Sequence, residues 1–316
     1  MNRKKMVIGA VLVFIGLPVV LVLIAAVSLY VLNRTNGTIV SSGQKRDYLL
    51  YIPRSYDRTK PTPLVISLHA AALWPAAQME ISQWNKVADE HGFIIVYPSG
   101  TTLAGRGTGV RPKVWLMKPV AVLMADVRFI SELIDTLEAA YNIDPTRIYA
   151  NGFSNGGGMT FVLSCALSHR IAAVGTVAAA QTLPWSWCTD HRPVPMVAFH
   201  GTADRMVPYQ GGPSADPFNP IRFPAVRDWA ASWARRNRCR GSPIDARITA
   251  SVRRLAFTNC AENADVILYT VEGGGHSWPG GKPLPEWIVG PTSRSIDATS
   301  QMWAFFREHR LPRKPS

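Results

Sequence analysis

Short apolar segments, each followed by a helical pattern, constrain this chain more than any other feature. Leu64–Leu68 (LVISL), Phe93–Tyr97 (FIIVY), Arg147–Ala150, Val174–Ala178, Val194–Phe199 and Asp265–Tyr269 (DVILY) read as strands. Most are apolar without alternation, as expected of strands buried on both faces of a parallel sheet. Gln44–Ile52 alternates instead, and Pro53 stops it. Helical patterns fall at Trp84–His91, which ends at Gly92, and at Met159–Leu167, Phe223–Asn237 and Ala298–His309. Another covers Asp126–Tyr141, with Phe129, Leu133, Ile134 and Leu137 on one face. Strands alternating with helices predict an α/β domain over 36–311, with a mostly parallel central sheet and helices on both faces. The glycine-rich stretch Thr101–Pro112 is expected to be a loop.

The chain begins with basic residues at 1–5, and residues 6–32 are then apolar and uncharged. A bilayer crossing needs about 20 apolar residues, whereas a signal-peptide core has about 7–15. The segment is therefore expected to be a transmembrane signal anchor, with a long cleaved signal peptide as the alternative. Basic residues ahead of it place the N-terminus in the cytoplasm and the domain outside, periplasmic or extracellular. If the segment is cleaved, the domain is secreted. Net charge is +13, from 34 basic and 21 acidic residues, and a basic tail closes the chain at 312–316. Such an excess suits an anionic membrane surface. No zinc-finger spacing, RNA-reading box or basic recognition helix points to nucleic acid. Export makes the four cysteines, Cys165, Cys188, Cys239 and Cys260, candidates for disulfides, with three pairings open. The absence of any CxxC spacing argues against structural zinc.

Gly152-Phe153-Ser154-Asn155-Gly156 matches G-x-S-x-G between a predicted strand and a predicted helix. That is the context of the nucleophile elbow in the α/β-hydrolase fold, where the serine sits on a sharp turn and its glycine neighbours avoid collision. The acid and the base should follow in that order along the chain. Asp204 lies just beyond the strand ending at Phe199, and His276 lies in a loop framed by Gly273–Gly275 and Pro279-Gly280. In this chemistry Ser154 is the nucleophile, His276 moves the proton, and Asp204 orients the imidazole and stabilises its charged form. His200 is a rival base, and Asp190 and Asp216 are rival acids. His69 and His200 each follow a strand and are candidates to line the site. The oxyanion hole should use the N–H groups of Asn155 and Ala70, with Ala71 as the alternative to Ala70.

Five segments, LVISLHA (64–70), GFIIVYP (92–98), IDPTRIYANGFSNGG (143–157), AFHGTADRMVPYQGG (198–212) and GGGHSWPGG (273–281), carry a resemblance over nearly the whole domain. In them the chain resembles the polyhydroxybutyrate depolymerase-like esterases, a group with feruloyl and acetyl-xylan esterase relatives. The resemblance puts Ser154, Asp204 and His276 on the family's triad positions. It implies hydrolysis of small or oligomeric esters of hydroxyalkanoate, acetyl or hydroxycinnamoyl type, with no cofactor, no metal and no obligate protein partner. Two departures stand out. Ala70 occupies a position where the family usually has glycine. Lys113–Met124 is apolar where relatives carry a turn with glycine and aspartate, of which Asp126 is expected to preserve part. No linker to a second domain follows, which argues against crystalline polyester as substrate. Cys165 on the helix after the elbow is expected to pair with Cys188 in the loop before the next strand, and the resemblance favours Cys239 with Cys260. Each bond should add roughly 3 kcal/mol by loop-closure entropy. Trp185, Trp187 and Trp278 are candidates for an aromatic wall that binds substrate, or else for capping the core. The competing readings are a peptidase or thioesterase on the same triad, and a catalytically weak binding protein of the cell envelope.

Overall fold

A computed structural model describes residues 31, 33–102, 111–118, 120–180, 183–188, 192–215 and 221–312. Its main sheet has ten strands: β1 (Gly37–Ser41), β2 (Gln44–Tyr51), β3 (Thr62–Leu68), β4 (Ile94–Pro98), β5 (Ile143–Phe153), β6 (Ala173–Val177), β7 (Met196–Gly201), β8 (Ile244–Thr249), β9 (Val252–Phe257) and β10 (Val266–Val271). They lie in the order β1-β2-β4-β3-β5-β6-β7-β10-β9-β8. The centre, from β4 through β3, β5, β6 and β7 to β10, is parallel throughout. Antiparallel pairs close both flanks. The expected α/β-hydrolase architecture is thus present.

Helices α1 (Pro75–Ser82), α2 (Trp84–His91), α3 (Val120–Ala140), α4 (Asn155–Ala166), α5 (Val226–Arg236), α6 (Glu286–Val289) and α7 (Ala298–Phe306) complete it. Strand side chains alternate between two cores. Leu64, Ile66 and Leu68 share a core with residues of α3, α4 and α5, whereas Val65 shares the other with residues of α1, α2 and α7. Both faces are covered, which is why β3 and β4 lack any polar alternation. Gly92 ends α2 in the left-handed conformation, with φ 71°.

The structure extends the expected elements in several places. α3 begins at Val120, inside the apolar stretch, and not at Asp126. Asp126 does not preserve a turn. It is a buried helical residue whose carboxylate pairs at 2.7 Å with Arg46 from β2, and the Arg46 guanidinium lies over the Phe129 ring. The strands β1, β8 and β9 and helix α1 had no expectation attached. β8 is exposed along its whole length, so no hydrophobic run marks it. The disulfides are Cys165–Cys188 and Cys239–Cys260, as expected. Among the described residues no helix is long and apolar enough to cross a membrane. The segment 6–30, Leu32, most of the loop at 103–110 and the tail from 313 lie outside the described residues.

Candidate active site

The site stands at the C-terminal ends of β5, β7 and β10, where a parallel sheet presents its loops. β5 ends at Phe153 and α4 starts at Asn155, so Ser154 alone makes the turn, with φ 54° and ψ −118°. That is a left-handed φ on a residue with a side chain, and such strain persists only where the surroundings enforce it. The enforcement is visible. The Ser154 N–H donates to the Val177 carbonyl across the sheet. A Cβ on Gly152 would collide with the Gly156 backbone, and one on Gly156 would collide with the carbonyls of Leu68 and His69. The glycines of the motif are therefore needed for close approach of strand, turn and helix.

His276 follows β10, and its ring lies between two partners. Nε2 is 2.8 Å from the Ser154 hydroxyl and Nδ1 is 2.8 Å from Asp204 Oδ2. A carboxylate only accepts, so Nδ1 carries the proton and Nε2 is left to accept from the serine. Phe153 stacks on the His276 ring at 5.2 Å between centroids. The His276 N–H donates to the Val289 carbonyl, which ties the histidine loop to α6. Asp204 follows β7 and is buried. Its Oδ1 accepts the N–H groups of Met206 and Val207 at 2.9 and 2.8 Å. Burial alone would raise this carboxyl. The charges and hydrogen bonds of His276 and His200 outweigh burial and hold it well below the usual carboxylate range. The structure thus brings Ser154, His276 and Asp204 together. The rival acids Asp190 and Asp216 lie outside the described residues.

His200 does not line the site. It is buried, its Nε2–H donates to the Val207 carbonyl at 2.8 Å, and it stands 3.4 Å from Asp204 Oδ2. Its surroundings fit it to hold the Asp204 loop. His69 is also buried and does not line the site. The Gly100 N–H donates to its Nε2, and its Nδ1–H donates to the Ala70 carbonyl. Burial brings its pKa down to about 4. Ala70 and Asn155 both line the cavity above Ser154, and among the described residues no protein acceptor meets either backbone N–H.

The aromatic wall needs correction. Trp278 is 1% exposed, donates through Nε1 to Thr299 and packs edge-on against Phe153, which places it in the core. Trp185 packs edge-on against Phe161 and Trp233. Neither Trp185, Trp187 nor Trp278 lines the cavity. Nearness in sequence to His276 or to Cys188 said nothing about the direction of these rings. The cavity, of about 540 Å³, is instead walled by aliphatic residues and methionines such as Leu73, Met117, Leu183, Met206, Ile221 and Val289, together with three phenylalanines, Phe153, Phe161 and Phe223. Sequence reasoning missed these, and only the apolar stretch Lys113–Met124 hinted at them. It also missed a clamp. The Asn155 side chain accepts the Trp115 N–H at 2.8 Å and donates to the Trp115 carbonyl at 2.9 Å. Among the described residues no cluster of histidine, cysteine or acidic side chains could hold a metal ion.

Residues 119–219 match the family described as Phospholipase/Carboxylesterase. A putative esterase, NocK, of Nocardia uniformis subsp. tsuyamanensis is 30% identical over 284 residues, covering 83% of this chain and 79% of that protein. The chain belongs to the esterases of the α/β-hydrolase superfamily. Among relatives in this family, feruloyl esterase B of Piromyces equi is 31% identical over 245 residues, which are 75% of this chain but only 44% of that longer protein. The chain therefore spans less than half the length of this relative. An acetyl xylan esterase from Aspergillus awamori superposes with a TM-score of 0.57 at 14% identity, over 76% of this chain and 93% of that one. At that identity the likeness speaks for the shared fold.

Proposed function

We propose that this protein is a serine carboxylic ester hydrolase that works through an acyl-enzyme intermediate, with Ser154 as nucleophile, His276 as base and acid, and Asp204 as orienting carboxylate. The observation that carries this reading is the line of hydrogen bonds from Asp204 through His276 to a strained serine that opens on a cavity. His276 Nε2 takes the hydroxyl proton as Ser154 Oγ attacks the ester carbonyl carbon. The oxyanion formed is held by the N–H groups of Asn155 and Ala70. Collapse breaks the bond to the alkoxide, which leaves with the proton from His276. A water then attacks the acyl-enzyme, its proton passing to His276. The second oxyanion collapses, the carboxylic acid departs and the proton returns to Ser154.

Labelling tests the assignment. A fluorophosphonate should modify Ser154 in the native protein, and Ser154→Ala and His276→Ala should lose both the label and ester turnover while keeping the native melting temperature. A label on another serine, with turnover retained in Ser154→Ala, would end the assignment.

Met6–Leu32 is the proposed membrane anchor, with the catalytic domain outside the cytoplasm. Its length without charge, the basic residues ahead of it and two disulfides in the domain support this. A C-terminal reporter active only outside the cytoplasm should be active, and a stably expressed but silent fusion would reverse the topology. A mature N-terminus near residue 26–34 would replace the anchor with a cleaved signal peptide.

A further inference from the structure

The chemistry of the cavity wall separates the acyl groups that the esters of this family could carry. The cavity volume, about 540 Å³, is in the range that encloses a whole small ligand, so an acetyl group would leave most of it empty. Met117 comes from the stretch before α3, Leu183 from the loop after β6, Met206 from the loop after β7, and Ile221 from the residues before α5. Leu284 and Ile288 come from the loop after β10 and from α6. Phe153, Phe161 and Phe223 complete the wall, and none of these side chains can donate or accept a conventional hydrogen bond.

The polar side chains at the cavity are few. Among the described residues they are Ser154, Asn155, Ser214 and His276. Ser154 and His276 are bonded to each other, and both ends of the Asn155 amide are held by the Trp115 backbone. A phenolic hydroxyl or methoxy group pushed into this space would give up water for an apolar wall, which is unfavourable without a new partner. A hydroxyl on the acyl chain would meet the same penalty. An unsubstituted methylene chain would gain at each carbon. Two methionines in the wall add to this, because an unbranched, flexible side chain adapts to a flexible ligand.

We infer that the acyl site of this esterase takes acyl groups larger than acetyl that carry no polar substituent, such as unsubstituted aliphatic chains, in preference to acetyl, hydroxyalkanoyl or hydroxycinnamoyl groups. This rests on the ester hydrolase reading above and adds the substrate class to it. α6 makes the preference part of the machinery, because Val289, which lines the cavity, also receives the His276 N–H. A chain that packs against α6 therefore bears on the loop that carries the base.

The test uses the full chain in lipid nanodiscs and p-nitrophenyl acetate, butanoate and hexanoate, with p-nitrophenyl 3-hydroxybutanoate and p-nitrophenyl ferulate alongside. kcat/KM should rise about fourfold per added methylene, the rate equivalent of about 0.8 kcal/mol. The 3-hydroxybutanoate should fall at least tenfold below butanoate, and the ferulate at least tenfold below hexanoate. Leu183→Trp and Ile221→Trp, from separate segments of the wall, should each lower the hexanoate-to-acetate ratio at least tenfold. If one fails to fold, the other carries the measurement. A profile that is flat or highest at acetate, or with ferulate or hydroxybutanoate preferred, overturns this inference and leaves the hydrolase reading intact. Unchanged ratios in the folded variants overturn it as well. Loss of all turnover in the native protein, with no fluorophosphonate label on Ser154, overturns the hydrolase reading itself.

Discussion

The two ends of the candidate site are built on different principles. At the reacting end, Ser154, His276 and Asp204 are each fixed by named hydrogen bonds, and the surrounding glycines leave no room for other residues. At the binding end, the cavity is walled by apolar side chains from separate segments, and few directional bonds hold them. Directional bonds fail when an atom moves by an ångström, whereas apolar packing tolerates exchange of one aliphatic group for another of similar volume. The reacting end can therefore stay constant within a family while the binding end drifts. Acyl preference is the property most free to differ between this chain and its relatives.

Substitutions that strike one end and spare the other sharpen this comparison. The largest effect is expected from Asp204→Asn. Neutralising a triad acid costs roughly 10⁴-fold in kcat, and here the loss should be the same for acetate and hexanoate. A loss confined to hexanoate would mean that Asp204 shapes the cavity and not the reaction.

Next comes His69, buried directly after β3 and beside Ala70. Its folded pKa, about 4, is below the ordinary value of 6.5, so the unfolded chain binds the proton more readily. Its stabilising contribution is therefore complete above pH 6.5 and declines as pH falls toward 4, by about 3 kcal/mol. Asp204 is also depressed, and its contribution is lost at lower pH, as the solution passes below the usual carboxylate range. Denaturant unfolding at pH 7 and pH 4.5 checks the first window. The native protein should lose more stability between these values than His69→Gln does. Equal losses would assign the acid sensitivity to other groups.

The smallest effect is expected at the clamp. Asn155→Ala keeps the backbone N–H proposed for the oxyanion hole but removes two hydrogen bonds to Trp115. About 2 kcal/mol of stability should go with them. kcat/KM should fall roughly tenfold, the size of a single partly misaligned contact, and more for hexanoate than for acetate, because Met117, two residues beyond Trp115, lines the cavity. An unchanged acyl profile would separate the two ends completely and break the link that the clamp is argued to make.

The elements that were legible in the sequence share a physical origin. β3 and β4 have both faces covered, so they read as apolar runs. The elbow was legible because its left-handed serine needs glycine on both sides. β8 escaped because all its residues are exposed. The start of α3 escaped because Val120 and Met124 face outward, at 55% and 41% exposure, and an apolar stretch with exposed members has no clear helical face. The cavity wall was illegible for a different reason. Leu183, Ile221 and Val289 look like any aliphatic residue, and which of them point into one space depends on loops that the sheet brings together.

By itself the sequence determined the sheet, the elbow, which residues are the candidates for nucleophile, acid and base, and the pairing partners that the cysteines could choose from. Each depends on local pattern: hydrophobic period, glycine at a strained turn, or residue type after a strand. Only the tertiary structure decided that Trp278 belongs to the core and not to a wall, that His69 and His200 lie behind the site, and that Asp126 answers Arg46. It also decided that Asn155 grips Trp115. The physical reason is common to all of them. A side chain's role depends on what lies within about 4 Å of it, and in these cases the decisive neighbour comes from another segment of the chain, delivered by the crossing of strands and not by sequence.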